Sequence, residues 1–220
     1  MANITINSGS DDPVAVTVNC CCTPEPTPEP EPVPGGGLRE AALHGFTAAT
    51  VLPHLCNTTT SPSGPALVAA TAILPAGKSI ASVGVAVADP AQGEAFQPSR
   101  VAVYIGSSIA ELGGASAEVP RLFTVAGWRW GNLETPVAAA EEDRVVWLVA
   151  QLPYFSVAMP GLLCAAQLRG PNMVNSSTYR SVVVQGATEL PGIFDGDAVP
   201  FTVQQAVPAL AASSRAVIQP

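Results

Sequence analysis

From Leu38 onward the chain alternates between short runs rich in apolar residues and clusters of Gly, Pro, Asp, Asn and Ser. The runs are Ala66–Leu74, Ile80–Ala88, Arg100–Ile105, Glu118–Val125, Arg144–Leu152, Gly161–Gln167, Tyr179–Val184 and Val199–Val203. Segments of this length bounded by turn residues predict β-strands rather than helices. The turns fall at Pro75–Ser79, Asp89–Glu94, Gly113–Ser116, Arg169–Asn172 and Asp195–Asp197, with Ser107–Leu112 readable as a helical turn. About eight strands so spaced predict an all-β fold, a single jelly-roll-like β-sandwich head spanning residues 38–220.

Residues 1–22 carry a different pattern. Asn3–Asn7 and Val14–Asn19 each alternate apolar and polar or small residues around the turn-rich Ser8–Pro13, which predicts a hairpin. Two strands alone are marginal in water, so this segment needs another sheet or further copies of itself. Ile4, Ile6, Val14, Val16 and Val18 are the candidate anchor residues.

Residues 23–37, TPEPTPEPEPVPGGG, separate the two parts. Proline fixes φ and removes amide donors, so Pro24–Pro34 is expected to be a polyproline II spacer of roughly 30–35 Å at about 3.1 Å per residue. The alternative is a disordered tether without fixed length. Gly35–Gly37 would form the hinge before the head.

Three consecutive thiols, Cys20, Cys21 and Cys22, end the first segment. Their spacing suits zinc poorly, because the remaining cysteines, Cys56 and Cys164, are far away in sequence. If several chains run side by side through the spacer, these thiols become candidate interchain contacts, packed together or crosslinked in an oxidising medium. Cys56 and Cys164 lie in apolar surroundings and read as buried thiols, with an intrachain disulfide left open.

Composition narrows the function. The chain is 48% hydrophobic but only 12% charged, with net charge −8 and no Lys/Arg cluster of the kind a phosphate backbone requires. Nucleic acid is therefore not an expected partner. No apolar run is long enough for a membrane span, and MANITINSGSDDP lacks the basic and hydrophobic parts of an export signal, so neither membrane insertion nor the usual export is expected. His44 and His54, placed in the first strand region, accompany no G-x-S-x-G or H-E-x-x-H pattern, and Glu141-Glu142-Asp143 reads as a solvated turn. The expectation is a non-enzymatic protein without a cofactor or metal.

The most informative motif is Trp128-Arg129-Trp130. In an extended segment both indoles project from one face and Arg129 from the other. Such indoles can stack on the apolar sides of sugar rings, with Arg129 and Asn132 hydrogen-bonding hydroxyls. The other reading, which a sandwich favours, is that they cover the core or a subunit interface, as Trp147 is expected to cover the core within Val145–Val149.

The stretch from Val101-Ala102-Val103-Tyr104-Ile105-Gly106 through GWRWGNLETPVAAAEEDRVVWLVAQLPYFSVAMPGLLCAAQ resembles the jelly-roll modules in minor tail, fibre and head-fibre proteins of tailed bacteriophages. In those modules a small turn such as GNLETP precedes a strand with a conspicuous aromatic, here Trp147. The resemblance covers mainly residues 67–205, and the anchor, spacer and head plan fits it. It implies a structural virion protein, assembled in the host cytoplasm, usually as a homotrimer whose N-terminal segment docks to tail or capsid proteins. The displayed head would bind host-surface glycans or, alternatively, decorate the capsid and contact virion subunits alone.

Overall fold

The computed structural model describes residues 4–5, 15–16, 45–51, 53–166, 181–195 and 206–217. The chain divides into two units, Met1–Gly35 and Gly36–Pro220. In the first, β1 (Ile4–Thr5) and β2 (Ala15–Val16) pair antiparallel with Ile4 opposite Val16, as the alternation predicts for a hairpin. Ile6, Val14, Val18, the three adjacent cysteines Cys20–Cys22 and the proline-rich spacer lie outside the described residues.

The second unit is built from β3 (Ala48–Ala49), β4 (Thr58–Thr60), β5 (Ala66–Leu74), β6 (Ile80–Asp89), β7 (Arg100–Ile105), β8 (Ile109–Ala115), β9 (Gly127–Val137), β10 (Arg144–Leu152), β11 (Gly161–Ala166), β12 (Ser181–Gln185), β13 (Ile193–Asp195), β14 (Ala206–Pro208) and β15 (Leu210–Ser213). They form two antiparallel sheets that face each other as a β-sandwich. A six-stranded sheet runs β12-β5-β10-β7-β8-β13. A seven-stranded sheet runs β14-β11-β6-β15-β3, with β4 also on β11 and β9 also on β6.

The central strands of the six-stranded sheet are buried on both faces, which explains why β5 and β10 read as nearly unbroken apolar runs. Val68, Ala70, Ala72 and Leu74 of β5 and Val146, Leu148, Ala150 and Leu152 of β10 point into the space between the sheets. The alternate residues, Leu67 and Ala69 with Trp147 and Val149, join a second cluster on the opposite face together with Tyr104, Val182 and Phe194. The stretch from 187 to 191 lies over that face, and Phe194 of β13 adds its ring to it. Phe194 packs on Trp147 at 5.2 Å and on Tyr104 at 5.5 Å between ring centroids. The polar tips of these rings are satisfied, since Trp147 Nε1 donates to the Ser107 carbonyl at 3.1 Å and the Tyr104 hydroxyl to the Pro191 carbonyl at 2.7 Å. Trp147 is therefore a core residue, as its strand position predicts.

Five local expectations are corrected. Glu118–Val125 is a turn, because Pro120 cannot donate to a ladder and the Leu122 amide turns back to the Val119 carbonyl at 3.0 Å, while Leu122 and Phe123 both bury completely. Both of these side chains join the core between the sheets. Ser107–Leu112 is not helical, and Gly113–Ser116 is not a turn, for β8 runs through both. Its glycines serve close packing: a Cβ on Gly114 would lie 2.5 Å from the Thr135 carbonyl oxygen. GNLETP belongs to strand β9, where 132 to 137 face only 82 to 80 of β6. This irregularity, with Pro136 on an edge strand, bends β9 towards the other sheet, where Leu133 bridges Ser116. His54 sits in a 3-10 turn, Pro53–Leu55, rather than a strand, while His44 and Val199–Val203 lie outside the described residues.

Candidate functional site

The outer face of the seven-stranded sheet begins with the alternation in β6. Val83, Val85 and Val87 point into the core, so Ser82, Gly84 and Ala86 form the opposite, solvent-side row. On neighbouring β15, Leu210 and Ala212 are core residues, which leaves Ala211 outward beside Gly84. This floor of very small side chains is overlaid by aromatic rings. Trp130 stands opposite Gly84 and Trp128 opposite Ala86. Trp130 lies directly on Gly84, where an added Cβ would be 2.8–2.9 Å from three indole carbons.

The two indoles are stacked, with centroids 5.9 Å apart and planes 29° apart. Phe46, from the segment preceding β3, closes the group at 5.1 Å from Trp128 and 5.8 Å from Trp130. All three rings are partly exposed, so together they present an aromatic surface backed by a sheet. Of the sequence readings for Trp128 and Trp130, a place in the core between the sheets does not hold, while a subunit interface and a ligand surface both fit their position. They cover the sheet from outside.

The polar partners expected beside them are already engaged. Arg129 projects to the opposite side, as predicted, and its guanidinium donates to the carbonyls of Val125 and Ala126 at 3.3 and 3.1 Å. It ties the turn before β9 and does not join the aromatic surface. Asn132 is on the aromatic side, but its amide is used twice by Val217, donating to the carbonyl at 3.1 Å and accepting from the N–H at 2.9 Å. Ser82 Oγ adds a bond to the Arg215 carbonyl at 2.8 Å. Residues 214–217 are thus a strap clipped across the outer face by β6 and β9.

Phe46 carries no motif and was not among the sequence candidates. The readable clue lay in β6, where Ser-Val-Gly-Val-Ala-Val alternates very small residues with valine. A strand face of only Ser, Gly and Ala asks for large side chains from elsewhere to lie over it. A second exposed aromatic pair, Phe96 and Tyr154, stacks at 5.7 Å on two loops stitched together by backbone hydrogen bonds.

Titratable groups form no comparable surface among the described residues. Among the described residues, no three His, Cys, Asp or Glu side chains are grouped as metal ligands. Glu141, Glu142 and Asp143 form an exposed bend, as expected, in which Asp143 accepts from the Ala76 amide at 2.8 Å. Cys164 is buried in the core, and burial pushes its thiol up to about 11, with the nearby Cys56 thiol adding to the rise. Among the described residues, no helix is long and apolar enough to cross a membrane. No protein-family model matches this chain, and no curated protein matches it.

Proposed function

We propose that this protein is a non-catalytic display protein whose sandwich head binds saccharide through the Phe46, Trp128 and Trp130 surface. The observation that carries the reading is a stacked indole pair left partly exposed on a sheet face and backed by Gly84. Flat aromatic faces with a rigid floor stack on the C–H faces of sugar rings at small entropic cost, because the rings are held before the ligand arrives. The order of hairpin, proline-rich spacer and head suits a tailed-phage appendage, assembled on the virion as a homotrimer. Several heads on one particle would then turn weak single contacts into firm adhesion through effective concentration.

A second reading has its own support. Arg129 and Asn132 spend their polar groups inside the chain, which favours a head that decorates the particle and uses the aromatic surface against virion subunits. Glycan-array binding by the full chain, with Trp128→Ala and Trp130→Ala as controls, separates the two. Binding that is lost in both variants supports the saccharide reading. Binding unchanged in both refutes the site, and wild-type binding to virion subunits alone transfers it to decoration.

A further inference from the structure

We infer that the saccharide bound by this head is acidic, and that a cleft beside Phe46 receives its carboxylate or phosphate group. This rests on the aromatic surface being a saccharide site, and it names the class of saccharide taken there. The cleft has a volume of about 450 Å³ and is lined by Phe46, Thr47, Lys78, Ser213, Ser214 and Arg215, among others. Phe46 belongs to both features, forming one wall of the cleft and the third ring of the aromatic group. A sugar stacked on the rings can therefore extend a substituent into the cleft without leaving the surface.

Charge makes the cleft unusual for this chain. The protein has 17 acidic and 9 basic residues, yet among the described residues two of the basic ones line the cleft and no acidic residue does. Neither Lys78 nor Arg215 forms an ion pair among the described residues, and both are exposed. In a molecule of net charge −8, such a concentration of cations opposes the surrounding field and supplies a local seat for an anion. The Thr47, Ser213 and Ser214 hydroxyls add neutral donors, and Arg offers a planar fork suited to carboxylate or phosphate oxygens.

Both cations stand on fixed backbone. Lys78 ends a turn in which its amide donates to the Pro75 carbonyl at 3.1 Å and the Gly77 amide to the Ala140 carbonyl at 2.8 Å. Asp143, which also touches this turn, is bonded to the Ala76 amide. Arg215 is carried by the strap, held by Ser82 at its own carbonyl and by Asn132 at Val217. Asn132 is thus a positioning residue for the cleft rather than a ligand for sugar hydroxyls.

The test uses calorimetry on the full chain with trigalacturonate, its methyl ester and galactose 1-phosphate. The acid should bind roughly ten-fold more tightly than the ester, the scale of one charge-assisted bond set. Lys78→Ala with Arg215→Ala should erase that difference, bringing the affinity for the acid down to that for the ester. Tight binding of galactose 1-phosphate, lost in the same double variant, would identify phosphate as the accepted anion. Equal binding of acid and ester with weak phosphate binding overturns the acidic-ligand inference while sparing the aromatic site. Absence of binding by all three probes overturns both.

Discussion

Replacing Gly84 with alanine probes the aromatic surface from beneath. The new Cβ would meet Trp130 Cδ2 at 2.8 Å and Cε2 and Cε3 at 2.9 Å, well inside the roughly 3.5–4.0 Å optimum for carbon pairs. Those atoms lie in the body of the indole, so the whole ring must lift or rotate. Overpacking of this kind costs about 1–3 kcal/mol, whereas removing a strand glycine returns about 0.5–1 kcal/mol. The net loss should be about 1–2 kcal/mol, or roughly 2–8 °C in melting temperature for a chain of this size. In a Trp130→Ala background the clash is gone, so Gly84→Ala should become neutral or mildly stabilising. Thermal melts of the four proteins then give a coupling energy of about 1–3 kcal/mol. Tryptophan fluorescence of Gly84→Ala should also shift red as the indole lifts. A coupling near zero would mean that Trp130 does not rest on Gly84, and the aromatic surface would lose its floor.

Other expectations follow from single contacts. Tyr104→Phe leaves the Pro191 carbonyl without its donor and should cost about 1–2 kcal/mol in denaturant melts; an unchanged midpoint would refute the bond's contribution. Burial holds the folded Cys164 pKa near 11, above its ordinary value near 9, so the folded state keeps the proton more tightly. Stability fully present below pH 9 should therefore fall by about 2–3 kcal/mol as pH rises through 11, and Cys164→Ala should flatten that decline. Tyr104, also raised by burial, works in the same direction at higher pH, so Tyr104→Phe serves as the control. Asn132→Ala should speed amide exchange at Val217 by releasing the strap, and exchange equal to wild type would show that the strap is held elsewhere.

Where burial and backbone pattern agree, the fold was readable in the sequence. Ala66–Leu74, Arg100–Ile105 and Arg144–Leu152 are strands with the expected ends, because central strands covered on both faces announce themselves as apolar runs between turn residues. Edge and connecting segments were harder. Gly113 and Gly114 look like turn glycines in one dimension, and only the close approach of Thr135 shows why a strand needs them. Leu122 and Phe123 resemble a strand by composition but sit in a turn and both enter the core, which depends on the strands they meet there. At the candidate site, the pairing of Trp128 with Trp130 follows from strand periodicity alone. The engagement of Asn132 by Val217 spans 85 residues of sequence and no local pattern could report it. Phe46 was hidden for the same reason, since its place on the rings is set by the pairing of β3 with β15.

The two sheets differ in how much change they should tolerate. A substitution almost anywhere in β5 or β10 disturbs a packed neighbour on one side or the other, leaving little room for variation there. The outer row of the seven-stranded sheet contributes to the interior mainly through its backbone, so its overlying rings and strap form a layer that can be redrawn with the scaffold left intact. Randomising positions 46, 78, 128, 130 and 215 while holding Gly84 constant would give a library in which recognition changes and folding does not.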